Sequence, residues 1–245
     1  MTREPLLGKA ALVTGGARRI GREIALQLAT AGAEVTITYR SSRQDAEETI
    51  KAIKDLGRLA IAVECDVRSE ESVRDAVVAS VNFHGHLDLL VNNAAVFQSV
   101  PLDELTLEQW DTVFATNARG PFLLARQAIS HLRKSQGRVV NIGSLGGMRA
   151  WAGHAHYCSS KASLHMLTQA MAKAFAPEVA VNCVAPGWIH LGEEESQSAV
   201  EHFASKTPMK RNGTAQDIAE AVVFFAGASN FITGQILAVD GGLGL

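Results

Sequence analysis

The sequence predicts an α/β chain of the doubly wound kind: a parallel sheet of seven strands with helices on both faces. Three observations predict it. Short apolar or β-branched runs alternate with longer amphipathic stretches along the whole chain. A glycine-rich turn joins the first run to the first amphipathic stretch. No Pro/Gly/Ser-rich linker or shift of composition interrupts the 245 residues, so they read as a single domain, 1–245, without internal repeats.

Taken in order, Ala10–Thr14 is an apolar run closed by threonine, and the turn beyond it opens a helix over Arg18–Ala31. Glu34–Tyr39, rich in β-branched residues, is the second strand and Arg43–Leu56 the second helix. Leu59–Glu64 and Ser69–Phe83 form the third pair, and Leu87–Val91 is the fourth strand. A long amphipathic stretch, Thr106–Lys134, reads as one helix. Gly137–Ile142 and Ala152–Phe175 follow, then Val179–Val184, helices over Glu193–Lys206 and Ala215–Ala226, and a last strand, Gln235–Val239. Nearly continuous apolar runs imply strands buried on both faces, and helical connectors imply right-handed crossovers. In such a sheet, ligands bind beyond the carboxyl ends of the strands.

Composition removes several functions. Hydrophobic residues make up 47% and charged residues 20%, which excludes disorder, and the net charge of −2 offers no bulk attraction to nucleic acid or membrane. Three cysteines, Cys65, Cys158 and Cys183, are odd in number and far apart, so neither a disulfide framework nor a zinc knuckle is expected. The start has only two consecutive large apolar residues, Leu6 and Leu7, and no run approaches the ~20 residues that span a bilayer. A cytoplasmic protein is expected, with no metal.

The first strand runs into Thr14-Gly15-Gly16-Ala17-Arg18-Arg19-Ile20-Gly21 and then a helix. Glycines at such a turn let the backbone approach a pyrophosphate, which the helix N-terminus attracts. A turn chosen for geometry alone has the same composition. The second strand ends in Tyr39-Arg40-Ser41-Ser42, with no carboxylate until Asp45. A free ribose 2′-hydroxyl is usually met by an acid there, whereas a 2′-phosphate needs cations. Arg40 offers a planar fork of donors, Ser41 and Ser42 add hydroxyls, and Arg18 is near enough to join them. NADP(H) is therefore the expected cofactor. Asp66, followed by Val67, is placed to accept from an adenine amino group or to cap the helix near Ser69. Asn92-Asn93-Ala94-Ala95 offers small residues for packing against a flat ligand.

After the fifth strand comes Ser144, thirteen residues later Tyr157, and four residues on Lys161. That last spacing puts the phenol and the amine on one helix face. A free tyrosine titrates near 10, and a neighbouring ammonium favours its phenolate, as does an oxidised nicotinamide ring. Ser144 can hold a substrate oxygen, so that Tyr157 protonates a carbonyl oxygen while hydride reaches its carbon.

With these pieces the sequence resembles the short-chain dehydrogenase/reductase family over nearly its whole length. The matching residues are Thr14-Gly15 with Gly21, Asp66, Asn92-Asn93-Ala94, Asn117, Ser144, Tyr157-x-x-x-Lys161, Pro186-Gly187 and Asp240-Gly241-Gly242. The resemblance implies a Rossmann domain in which Tyr157 is acid/base, Lys161 holds the nicotinamide ribose and tunes Tyr157, and Ser144 binds the reacting oxygen. It implies that Asn117 anchors a water relaying protons towards Lys161. Asn93 and Ala94 would line the adenosine ribose side, and Pro186, Gly187 and Ile189 would border the nicotinamide. It further implies a homotetramer (or dimer) built partly through the helices near 106–134 and 152–175, and a substrate lid at about 190–210. Three positions depart from the common pattern: Arg19 replaces the middle glycine, Ala95 ends the Asn-Asn-Ala segment, and Pro186-Gly187-Trp188-Ile189-His190-Leu191 lacks the usual threonine. Arg19 with Phe97 resembles the pteridine-reductase branch, where the aromatic ring stacks on the pterin, whereas Ser144 resembles reductases of 3-oxoacyl thioesters. The expected activity is NADPH-dependent reduction of a small carbonyl substrate, with pterin reduction and a non-catalytic NADP(H) sensor as alternatives.

Other features receive milder readings. His84-Gly85-His86 reads as a surface loop and His154-Ala155-His156 as a loop or subunit contact beside Tyr157. Glu193-Glu194-Glu195 reads as a helix start, with repulsion of anionic substrates as the lesser alternative. Trp151 and Trp188 read equally as pocket or packing residues.

Overall fold

The computed structural model describes residues 4–192 and 196–245. Seven parallel strands form one sheet in the order β3-β2-β1-β4-β5-β6-β7. They are β1 (Ala10–Val13), β2 (Glu34–Tyr39), β3 (Ala60–Glu64), β4 (Leu89–Asn92), β5 (Arg138–Ile142), β6 (Ala180–Pro186) and β7 (Ile236–Val239). Along β1 the side chains alternate: Ala11 and Val13 pack into one core, while Leu12 packs into the other. The first core is closed by α1 (Arg19–Thr30), α2 (Arg43–Asp55) and α8 (Ala215–Gly227). On the opposite face stand α3 (Glu70–His84), α5 (Gly120–Ser135) and α6 (Ala155–Phe175). The central strands are wholly buried, as their apolar runs require. Strands β3 and β7 are not, because each is an edge with one neighbour.

Between β3 and β4 the chain returns across the sheet to lie beside β1, so the strand order reverses between β1 and β4. A crevice outside the carboxyl ends is expected at that point. The stretch predicted as one helix over Thr106–Lys134 is α4 (Leu107–Phe114), a π-helical turn (Ala115–Arg119) and α5. The turn carries Asn117 into the interior. The sequence reading ran through it, because the stretches on either side are each amphipathic and the one-residue change of phase between them interrupts neither.

Helix α6 begins at Ala155 rather than Ala152, after a short 3₁₀ turn at Leu145–Gly147. Helix α7 spans Gln197–Lys206, with Ser196 accepting the Ala199 N–H as its cap. The expected start of that helix at Glu193–Glu195 lies outside the described residues. Asp66 is not the cap of α3: Ser69 accepts the Ser72 N–H instead. The His84 side chain is buried, not on a surface loop, with its ring between Glu34 and Thr36 at 3.1 Å each. No helix among the described residues is long and apolar enough to cross a membrane.

Candidate active site

The first turn is laced to the loop after β4. Thr14 Oγ1 accepts the N–H groups of Asn93 and Ala94 at 3.0 and 3.1 Å, while Asn93 Nδ2 donates to the carbonyls of Thr14 and Gly15. Only glycine fits here: Gly15 has φ +63°, and a Cβ on Gly21 would lie 2.1 Å from the Gly15 oxygen. The result is a cleft of about 400 Å³ over the strand reversal. Gly15, Arg18, Arg19, Ile20 and Gly21 line it from the first turn, and Arg40 and Ser41 from the end of β2. Asp66 and Val67 line it after β3, and Asn93, Ala94, Ala95 and Phe97 after β4. Thr38 also lines it and accepts the Gly15 N–H at 3.3 Å, a contact that no sequence motif signals.

The end of the cleft between the first turn and β2 is cationic and exposed, with Arg18, Arg19 and Arg40 at its rim. Arg19 adopts φ +54°, the left-handed backbone that suits the glycine it replaces. The Asp66 carboxyl is held below the usual carboxylate range, first by hydrogen bonds from the Arg68 side chain and then, more weakly, by the charge of Arg40. A more open hollow of about 760 Å³ on the far side of Asp66 runs between Arg68 and the face of Asp111–Arg119.

At the end of β5, Ser144 Oγ accepts the Gly146 N–H at 3.0 Å. Lys161, one turn along α6, is buried, with its Nζ donating to the Ile142 carbonyl at 2.7 Å and lying 5.8 Å from the Tyr157 ring centroid. Burial lowers the ammonium from 10.5 to about 8. The phenol of Tyr157 is raised by its own burial, with Ser144 pulling the other way. Burial outweighs the Ser144 hydroxyl, so the net shift of the phenol is upward. The carboxamide of Asn117 brackets Val96, accepting its N–H at 2.8 Å and donating to its carbonyl at 2.9 Å, and it donates to Ser160 Oγ. The π turn therefore ties the β4 loop to α6.

Aromatic rings crowd the phenol. Phe97 meets Tyr157 edge-on at 4.8 Å and stacks on His154 at 4.8 Å, while Trp151 lies nearly parallel to Tyr157 at 6.3 Å. His154 is thereby part of the wall; His156 is buried with both ring nitrogens unpartnered. Pro186 ends β6, Gly187, Trp188 and Ile189 follow it, and none of the four lines the cleft. Gly187 packs against Asp240, Ile189 bridges to Gly213, and Trp188 stacks on Phe203 at 3.8 Å.

These elements match known proteins over their full extent. A family model described as Enoyl-(Acyl carrier protein) reductase matches residues 15–244. The chain belongs to the short-chain dehydrogenase/reductase family. It is 36% identical to the 3-oxoacyl-[acyl-carrier-protein] reductase FabG of Staphylococcus aureus, covering 96% of this chain and 98% of that one. It is 36% identical to hydroxynaphthalene reductase arp2 of Aspergillus fumigatus, over 91% and 87% of the two chains. A short-chain dehydrogenase of Burkholderia cenocepacia, solved in complex with NADP, superposes with a TM-score of 0.93 at 38% identity, covering 98% of this chain and 100% of that one.

Within this family member, sequence reasoning missed His165. Its ring is buried four residues beyond Lys161, and the Ser144 N–H donates to its Nε2 at 3.4 Å. The repeated spacing 157, 161, 165 was the available signal.

Proposed function

We propose that the chain is an NADP(H)-dependent reductase of a small carbonyl compound, a 3-oxoacyl thioester or related ketone, with Tyr157 as proton donor. The observation that carries this reading is Tyr157 set between Lys161 and Ser144, with its ring against Phe97 in the wall of a glycine-lined cleft. The residues fit the cofactor: Gly21 lets the helix start close against the Gly15 carbonyl, which a Cβ would block, and the rim after β2 bears Arg40, Ser41 and Ser42 but no acid. The NADP complex of the Burkholderia relative supports the same choice. Gly15, Arg19, Ile20 and Gly21 would hold the pyrophosphate, Arg18, Arg40 and Ser41 the 2′-phosphate, and Asp66 and Val67 the adenine. Asn93, Ala94 and Ala95 would flank the ribose, and Pro186, Gly187 and Ile189 the nicotinamide.

Bound NADPH supplies the hydride. Ser144 holds the substrate oxygen, and Tyr157, whose phenol keeps its proton at neutral pH, releases it to that oxygen. Lys161 holds the nicotinamide ribose and lowers the cost of the phenolate that results. A water anchored at Asn117 returns a proton through Lys161. Residues 190–210 would form the lid of this single domain, the chain would work in the cytoplasm, and four copies would assemble through the helices near 106–134 and 152–175. Exposed Leu107, Phe122 and Met166 on those helices support the assembly.

A second reading, pteridine reduction at a C=N bond, is favoured by Phe97, which lines the cleft beside Tyr157, and by Arg19 at its rim. NADPH oxidation with an acetoacetyl thioester and with dihydrobiopterin separates the two. Turnover of the thioester is expected, and turnover of the pterin alone would overturn the first reading. NADPH binding with no turnover of any carbonyl or pterin would favour a sensor. Tyr157→Phe is expected to lower kcat about 10³-fold with NADPH affinity retained, and unchanged turnover would refute the acid/base role.

A further inference from the structure

We propose that His165 is the positioning residue of the Ser144 turn: its neutral imidazole accepts the Ser144 N–H through Nε2 and fixes that serine against Tyr157 and Lys161. The contact is 3.4 Å long and buried. The turn is shaped around the ring. A Cβ on Gly143 would lie 2.3 Å from His165 Nε2, and a Cβ on Gly147 would lie 2.6 Å from its Cε1. Glycines on both sides of Ser144 thus let the backbone fold onto an imidazole rising from α6. Since Tyr157, Lys161 and His165 recur every four residues, one helix face presents the proton donor, its partner amine and the brace for the serine.

The chemistry requires one tautomer. A nitrogen that accepts a backbone N–H carries no proton, so the imidazole proton sits on Nδ1. Two groups facing the ring bear on this: Lys161 from the same helix, and the Cys183 thiol of β6, which also lies against Gly143. Burial, and then the Lys161 charge, push His165 down to about 4, while burial pushes Cys183 up to about 12. Neither titrates at neutral pH, so the acceptor persists where the enzyme works. Loss of the acceptor would leave the Ser144 N–H buried and unpaired and free the turn to shift. A shift of the serine oxygen affects the oriented transition state more than it affects NADPH binding.

The test has a kinetic and a spectroscopic arm, and only the kinetic arm rests on the carbonyl-reductase reading. His165→Leu removes the acceptor, whereas His165→Gln returns an oxygen close to the Nε2 position. We expect kcat to fall at least about tenfold in His165→Leu, with KM and NADPH affinity within about twofold, and to recover most of the loss in His165→Gln. Equal kcat in wild type and His165→Leu, or equal impairment in two folded variants, would overturn the proposal. In wild-type protein labelled with nitrogen-15 on its histidines, the His165 signals, assigned by their loss in His165→Gln, should show a bare Nε2 and a protonated Nδ1 at neutral pH. A proton on Nε2 would overturn it even where His165→Leu does not fold. If no carbonyl substrate is turned over, the functional reading fails, and the nitrogen spectrum alone decides the role of His165.

Discussion

Arg40 tests the cofactor assignment one side chain at a time. Its replacement by aspartate removes a phosphate fork and adds repulsion, so Arg40→Asp is expected to shift the NADPH/NADH preference in kcat/KM about 10²-fold or more towards NADH. An unchanged ratio would remove Arg40 from the 2′-phosphate site. Arg19 poses a different question, since it holds left-handed backbone where glycine is unstrained. Arg19→Gly and Arg19→Ala both delete the guanidinium, but only alanine keeps the conformational penalty. The glycine variant should be the more stable by about 1 kcal/mol in urea unfolding, and equal midpoints would show that the turn relaxes. At this scale the sequence was informative wherever a motif has fixed spacing, as with Ser144, Tyr157 and Lys161. It was silent on Thr38 and gave His165 only a place on the Tyr157–Lys161 helix face, since their roles arise when β2 meets the first turn and when the Ser144 loop folds onto α6.

Helix α8 shows how an element is secured at its start. Thr214 and Asp217 form a capping box, with Thr214 Oγ1 accepting the Asp217 N–H and the Asp217 carboxylate accepting the Thr214 N–H at 2.7 Å. Thr214→Ala should cost about 1 kcal/mol of stability, read from the denaturation midpoint. Hydrogen bonds from Arg211, then from Thr214, hold the Asp217 carboxyl well below the usual carboxylate range. A depressed carboxyl stabilises the fold above its unfolded pKa of about 3.9 and loses that contribution as the pH falls below it. Asp217→Asn should therefore be less stable at neutral pH and show a flatter loss of stability below pH ~4; parallel curves would dismiss the ion pair. The sequence reading placed this helix at Ala215–Ala226 but did not read the Thr-x-x-Asp box ahead of it. The boundary at Ala155 was not legible either, since Trp151–His154 form a turn closed by the His154 N–H to the Trp151 carbonyl and held by ring contacts and the Val100 N–H bond to Gly153.

For the whole molecule, alternation of strand and helix foretold the layers, and the glycine turn foretold which end of the sheet carries the cleft. The strand order came only with the structure, because no local pattern records that β4 returns to the side of β1. Light scattering should give the mass of four chains, and Phe122→Asp should reduce it; a wild-type monomer would refute the assembly. The π turn sets a last condition on how this architecture can change. A π turn is equivalent to one residue inserted into an α-helix, and each helical residue advances the chain by about 100°. Deleting a single residue from Ala115–Arg119 would make the long segment a regular helix, with stronger local hydrogen bonding. It would also swing either α4 or α5 out of phase by that angle, so that Asn117 could no longer bracket Val96 while both flanking helices kept their buried faces. Length variation in relatives that keep this asparagine should accordingly be found in the loops on either side of this segment and not within it.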